Sequence, residues 1–148
     1  MAKLYYRGMA EQNGKPKIGR SARLLGVRPN IDINIEQMPS GCIDEQGYLL
    51  PEAKRKYQGE NIVVAIKNTK GMSVSLSIES LPAFRKPAKF GGTGRDPLWQ
   101  IDNDKITGDL KAVQDSPTHV SILPRVTMLL EKYELALAQT QDDWEKVD

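Results

Sequence analysis

The sequence predicts an α+β fold, mostly antiparallel strands closed by one long C-terminal helix, and three observations carry that prediction. Met72, Val74, Leu76 and Ile78 alternate with Ser73, Ser75 and Ser77, the period-two signature of a strand with one apolar and one hydroxyl-bearing face. Three further strand-like segments, 98–101, 109–113 and 118–123, are separated by Asp, Asn, Gly and Pro turns and read as an antiparallel meander. After Pro124, the residues Val126, Leu129, Leu130, Tyr133, Leu137 and Trp144 recur at helical spacing, as expected of a long helix docking one face on the sheet.

The remaining elements follow in order. Leu4-Tyr5-Tyr6-Arg7 before Gly8 reads as an N-terminal strand with Arg7 at its end. Asn13-Gly14 and Pro16 mark a turn, and 20–25 reads as a short helix stopped by Gly26 and Pro29. Ile31, Ile33 and Ile35 alternate with Asp32 and Asn34, a half-buried strand signal. A Pro-, Ser- and Gly-rich loop covers 38–47, and Pro51 opens a second short helix over 51–57. The β-branched run 61–66 reads as a central strand buried on both faces, whereas 82–97, with three prolines and Gly91-Gly92-Thr93-Gly94, reads as a mobile surface loop without regular structure.

A chain of 148 residues with 39% hydrophobic content fits one domain, residues 1–148, able to bury a core without metal or disulfide staples. Lys and Arg number 21 against 19 Asp and Glu, a net charge of +2 that is too small to predict nucleic-acid binding, though it does not exclude it. Cys42 is the only cysteine, so no intrachain disulfide is possible and no zinc spacing exists. The N-terminus lacks the apolar segment of a signal peptide, and no run is apolar enough to span a bilayer. The expected place of action is therefore cytoplasmic, reached without a cleaved signal, and no membrane partner is expected.

Candidate chemistry falls on strand ends and polar strand faces: Arg7, the pair Ser73 and Ser75, and Gln114-Asp115-Ser116 with His119. His119, the sole histidine, suits an acid, a base or a hydrogen-bond donor near neutral pH; the alternative is a strand histidine facing solvent. The serines are equally compatible with a solvated strand face, and no G-x-S-x-G elbow surrounds them. The glycine-rich stretch before Arg95 lacks the phosphate-loop pattern, Trp99 and Trp144 suit a core, and Arg20, Arg23 and Arg28 suit a solvated face.

In chain order, Leu4-Tyr5-Tyr6-Arg7, Gly71-Met72-Ser73-Val74, and Leu110-Lys111-Ala112-Val113-Gln114-Asp115-Ser116 with Thr118-His119-Val120-Ser121-Ile122-Leu123-Pro124 resemble one family. It is that of the second Tse toxin of bacterial type VI secretion, and the likeness runs over nearly the whole chain. The resemblance implies an ADP-ribosyltransferase-like toxin domain with a split antiparallel β core that opens a cleft for NAD as substrate. It also implies delivery into a competitor's cytoplasm and a cognate immunity protein, with an unknown macromolecule as target.

Carried over, Arg7 would grip the diphosphate or ribose of NAD, and Ser73 would bond the nicotinamide ribose. His119 or Gln114 would steady the sugar as the glycosidic bond breaks, which makes the reaction a glycosyl transfer. Where the family has threonine before the serine this chain has Met72, so that hydroxyl's role is either filled by Ser75 or absent, and no glutamate stands at the third motif. Two alternatives remain open at this point: a non-catalytic relative acting as a protein-binding module, and a small nuclease using His119 in a basic groove.

Overall fold

The computed structural model describes residues 3–59 and 61–147; Met1, Ala2, Glu60 and Asp148, and so both ends of the expected 1–148 domain, lie outside the described residues. The strands are β1 (Leu4–Gly8), β2 (Glu11–Gln12), β3 (Lys15–Pro16), β4 (Ile35–Pro39), β5 (Ile62–Ile66), β6 (Met72–Ser75), β7 (Leu98–Asp102), β8 (Leu110–Gln114), β9 (His119–Pro124), β10 (Met128–Leu129) and β11 (Glu145–Lys146). One α-helix, α1 (Leu130–Gln139), lies between β10 and β11. Six strands form an antiparallel sheet in the order β11-β7-β1-β6-β9-β8, three form a second in the order β10-β5-β4, and β2 and β3 form a hairpin. The fold is thus mixed α/β, mostly antiparallel, with one C-terminal helix.

The alternating sequence of β6 sets the register of the large sheet. Met72 faces Ile122 and Val74 faces Val120, all four buried, while Ser73 faces Ser121 and Ser75 faces His119 on the other side. Tyr5, Trp99 and Ile101 continue the apolar side across β1 and β7, and Tyr133, Leu137 and Trp144 cover it. A two-residue turn, Asn13 and Gly14 at φ 54° and 79°, closes the β2–β3 hairpin with the twist that such strands need.

Between β1 and β6 the ladder is nearly absent. A single registered pair, Tyr6 with Ser75, joins the two strands, whereas β1 pairs with β7 over five positions. Where the next pairs would fall, Nη1 of Arg7 instead donates to the Ser73 carbonyl at 2.8 Å.

On the far side of β6, Tyr133 locks the strand to β9. Its hydroxyl accepts from the Met72 N–H at 3.0 Å and donates to the Ile122 carbonyl at 2.6 Å. Burial pushes this phenol well above its ordinary value, so it remains a donor. A Cβ on Gly71 would come within 2.0 Å of the Ile122 oxygen, so only glycine permits this approach.

Several elements depart from what the sequence predicts. The short N-terminal helix expected at 20–25 is irregular: the Leu25 N–H donates to the Lys17 carbonyl at 2.8 Å, the Arg23 carbonyl accepts from the Ala10 N–H at 2.7 Å, and the carbonyls of Ala22, Leu24 and Gly26 accept from Nη2 of Arg7. The second, at 51–57, is one 3-10 turn, Glu52–Lys54, because the chain is extended again at Arg55, whose Nε donates to the Leu50 carbonyl at 2.7 Å. Ile31 is 57% exposed in a turn, and β4 begins only at Ile35. In β5 only Ala65 and Ile66 are buried, and Ile62 is exposed.

The meander is half present. β8 and β9 are a hairpin, but β7 lies across the sheet between β1 and β11. The 82–97 segment contains two 3-10 turns, Ala83–Arg85 and Ala88–Phe90, each entered from a proline and cross-tied by Thr93 N–H to the Ala83 carbonyl and Gly94 N–H to the Lys86 carbonyl.

The C-terminal helix is shorter than its apolar stripe. Pro124 ends β9, and Met128 and Leu129 pair with β5, so α1 starts only at Leu130. It ends at Gln139, and Thr140 turns the chain, its hydroxyl donating to the Leu137 carbonyl and accepting from Trp144 Nε1. Trp144 reaches the core from beyond the helix. No helix among the described residues is long and apolar enough to cross a membrane.

Candidate functional site

Where β1 and β6 part, a cleft of about 380 Å³ opens, within the usual size of small-molecule sites. Tyr6, Arg7 and Gly8 of β1 and residues 72–75 of β6 line it. Thr118, His119, Leu81, Pro82, Arg85, Arg28 and Asp32 are among its other lining residues. Apolar walls with a few convergent polar groups have the form of a small-molecule site.

Of the residues singled out in the sequence, Arg7, Ser73, Ser75 and His119 all line this cleft, and Gln114 does not. Gln114 is exposed at the end of β8, where its amide donates to the Ser116 carbonyl at 3.0 Å. Its strand is the edge of the sheet, and β9 lies between it and β6.

The lining residues differ in what they have free. Ser73 is exposed, and its hydroxyl has no partner among the described residues, so it can bond a ligand. Ser75 is 6% exposed, and its hydroxyl is engaged with the Ser77 carbonyl at 2.7 Å and with the Ser80 hydroxyl. Ser77 and Ser80 are joined in turn at 2.9 Å, a knot that ends β6 and directs the chain to Leu81 and Pro82 of the cleft lining. The alternation of serines along β6 signals a polar face; the knot depends on Ser80, which lies outside that period.

The terminal nitrogens of Arg7 are committed to the protein. Its two terminal nitrogens donate to the carbonyls of Ser73, Ala22, Leu24 and Gly26, and its Nε is buried without a partner. Burial lowers this guanidinium to about 10, with Asp32 opposing and Arg85 and Arg28 adding to the fall. It remains a cation at neutral pH and lends the cleft a fixed positive field.

Arg28 holds Asp32 with both nitrogens at 3.0 Å and with its backbone N–H at 2.8 Å. Burial alone would raise the Asp32 carboxyl, but these bonds and the nearby guanidinium charges outweigh it and hold the group below its ordinary value. Arg85, by contrast, has no carboxylate partner among the described residues, and its guanidinium lies 5.0 Å from the centre of the Phe84 ring. Its place in the 82–97 segment, which reads as a featureless loop, hid it from the sequence.

His119 is held from within its own β8–β9 hairpin. Its Nδ1 bonds Asp115 Oδ1, and Ser121 Oγ donates to Asp115 Oδ2 at 2.9 Å. The Asp115 N–H donates to the His119 carbonyl at 3.1 Å, and the His119 N–H donates to Ser116 Oγ at 3.0 Å. Slight burial works to raise the Asp115 carboxyl, and the bonds from His119 and Ser121 bring it below its ordinary value.

Residues 3–145 match the model of the Tse2 ADP-ribosyltransferase toxin family, and the chain belongs to that family. No curated protein and no solved structure matches it.

Proposed function

We propose that this chain is a one-domain antibacterial effector with an ADP-ribosyltransferase-like fold that takes NAD into the cleft and transfers ADP-ribose to a macromolecule in a target cell's cytoplasm. The observation that carries the proposal is the convergence of Ser73, with a free hydroxyl, and His119, with a fixed imidazole, in one cleft of a chain from this family. Delivery by type VI secretion and neutralisation by a cognate immunity protein belong to the same reading.

The residues fit such a substrate. Leu81 and Pro82 offer apolar surface to a nicotinamide ring, and Ser73 is placed to bond a ribose hydroxyl. With Arg7 engaged inside the protein, Arg85 is the guanidinium available to a diphosphate, and the buried Arg7 charge favours an anion from behind. Nicotinamide departs with the glycosidic electron pair, and the sugar left behind is electron-poor. Polar groups held in place before the reaction stabilise such charge better than water that must reorient.

Incubating the purified chain with NAD and following release of nicotinamide tests this directly. Release by the wild-type chain, lost in Ser73→Ala and His119→Ala while both variants melt like wild type, is the expected result. An active chain whose two variants remain fully active would remove the cleft from the reaction, and no release with any cell extract as acceptor would favour a protein-binding module.

A further inference from the structure

Asp115 stands four residues before His119, in a hairpin connection, and the fold turns this sequence neighbour into a side-chain partner. A carboxylate can only accept, so the proton between Asp115 and His119 sits on Nδ1. Nε2 of the neutral ring is then bare, and it has no partner among the described residues. Asp115 is in turn held by the Ser121 hydroxyl at 2.9 Å, from the same face of β9, so the carboxylate is fixed at both oxygens. His119 lines the cleft beside Thr118, whereas Asp115 does not line it.

We propose that Asp115 is a positioning residue that makes His119 the general base of the reaction, in a chain that has no glutamate at the third motif. This rests on the NAD reading above. An acceptor X–H of the target attacks the anomeric carbon of the nicotinamide ribose; the X–C bond forms as the C–N bond breaks. The C–N electron pair leaves with nicotinamide, and the acceptor's proton passes to Nε2 of His119. The resulting imidazolium lies against the Asp115 carboxylate, which stabilises its charge without taking the proton. Asp115 never meets the substrate, and its effect passes through the ring.

The chain holds a single histidine, so the imidazole nitrogens give one unambiguous set of NMR signals. In alkaline buffer the wild-type ring is expected as the Nδ1–H tautomer, and Asp115→Ala is expected to move it towards Nε2–H. The same variant should lower NAD turnover by about a hundredfold or more while the melt and NAD affinity stay near wild type. Asp115→Asn, whose amide removes the charge and can donate to Nδ1, should likewise fail to hold the Nδ1–H tautomer and should not restore the rate. A wild-type ring protonated at Nε2, or an Asp115→Ala chain as active as wild type, overturns the assignment. A wild-type chain that consumes no NAD overturns the reading beneath it, a separate outcome from an active chain indifferent to Asp115.

Discussion

Nη1 of Arg7 lies 2.8 Å from the carbonyl oxygen of Ser73, across the gap where β1 and β6 part. The same side chain gathers the carbonyls of Ala22, Leu24 and Gly26, so it ties together two strands and the irregular 20–26 segment. Replacing it by methionine keeps most of the volume but leaves buried acceptors unpaired, each costing about 1–3 kcal/mol, offset in part by relief of a buried charge. Arg7→Met should therefore lose about 2–3 kcal/mol in urea unfolding. Arg7→Lys should do little better, because one ammonium cannot reach carbonyls on both sides of the gap. A methionine variant as stable as wild type would show that Arg7 is not the pin.

Tyr133 and Gly71 make the matching prediction on the other flank of β6. Tyr133→Phe leaves the Met72 N–H and the Ile122 carbonyl buried without their shared partner and should cost about 1–3 kcal/mol. Gly71→Ala drives a methyl group to within 2.0 Å of the Ile122 oxygen and should cost at least as much. Both act on one contact, so the double variant should lose less than the sum. Chemical denaturation of the four chains gives the cycle.

These contacts explain which parts of the molecule were legible in the sequence. Strand β6 was legible because its alternation is local: Met72 and Val74 go inward and Ser73 outward. Arg7, Ser73 and His119 were legible as polar residues on apolar strands, and the fold gathers them in one cleft. The fate of 20–25 was not legible, since Leu25 and Arg23 bond the backbone of Lys17 and Ala10 and Arg7 takes the carbonyls of Ala22 and Leu24, and no local pattern records such partners. Trp144 continued the helical stripe after the helix had stopped, because Thr140 turns the chain and brings the indole back to the same core. Asp115 was legible only as a polar residue near His119; its role as the ring's partner depends on how the hairpin closes.

Arg85 supplies a prediction opposite in kind to that of Arg7. Its guanidinium has no carboxylate to lose, so Arg85→Gln should leave the melting temperature within a degree or so of wild type. If it meets the diphosphate, NAD and ADP-ribose should both bind about tenfold or more weakly by calorimetry. Nicotinamide riboside, which has no phosphate, should bind both chains equally. Equal affinity of the two chains for NAD would assign the diphosphate elsewhere.

Asp32 makes stability depend on acid in a definite direction. Its folded-state carboxyl lies below the ordinary value of 3.8, because the bonds from Arg28 and the charge of Arg7 outweigh its burial. Above that ordinary value the group is ionised in both folded and unfolded chains, and its full contribution to stability is present. As pH falls from 3.8 through the lower folded value, the unfolded chain takes up the proton first and the contribution is lost. Asp32→Asn should thus be less stable than wild type at neutral pH, and its urea midpoint should fall less steeply on acidification. The deficit should exceed that of an exposed ion pair, because Asp32 also faces the buried Arg7 cation, which the variant leaves without its opposing charge. Parallel acid limbs in the two chains would mean that Asp32 carries no such linkage.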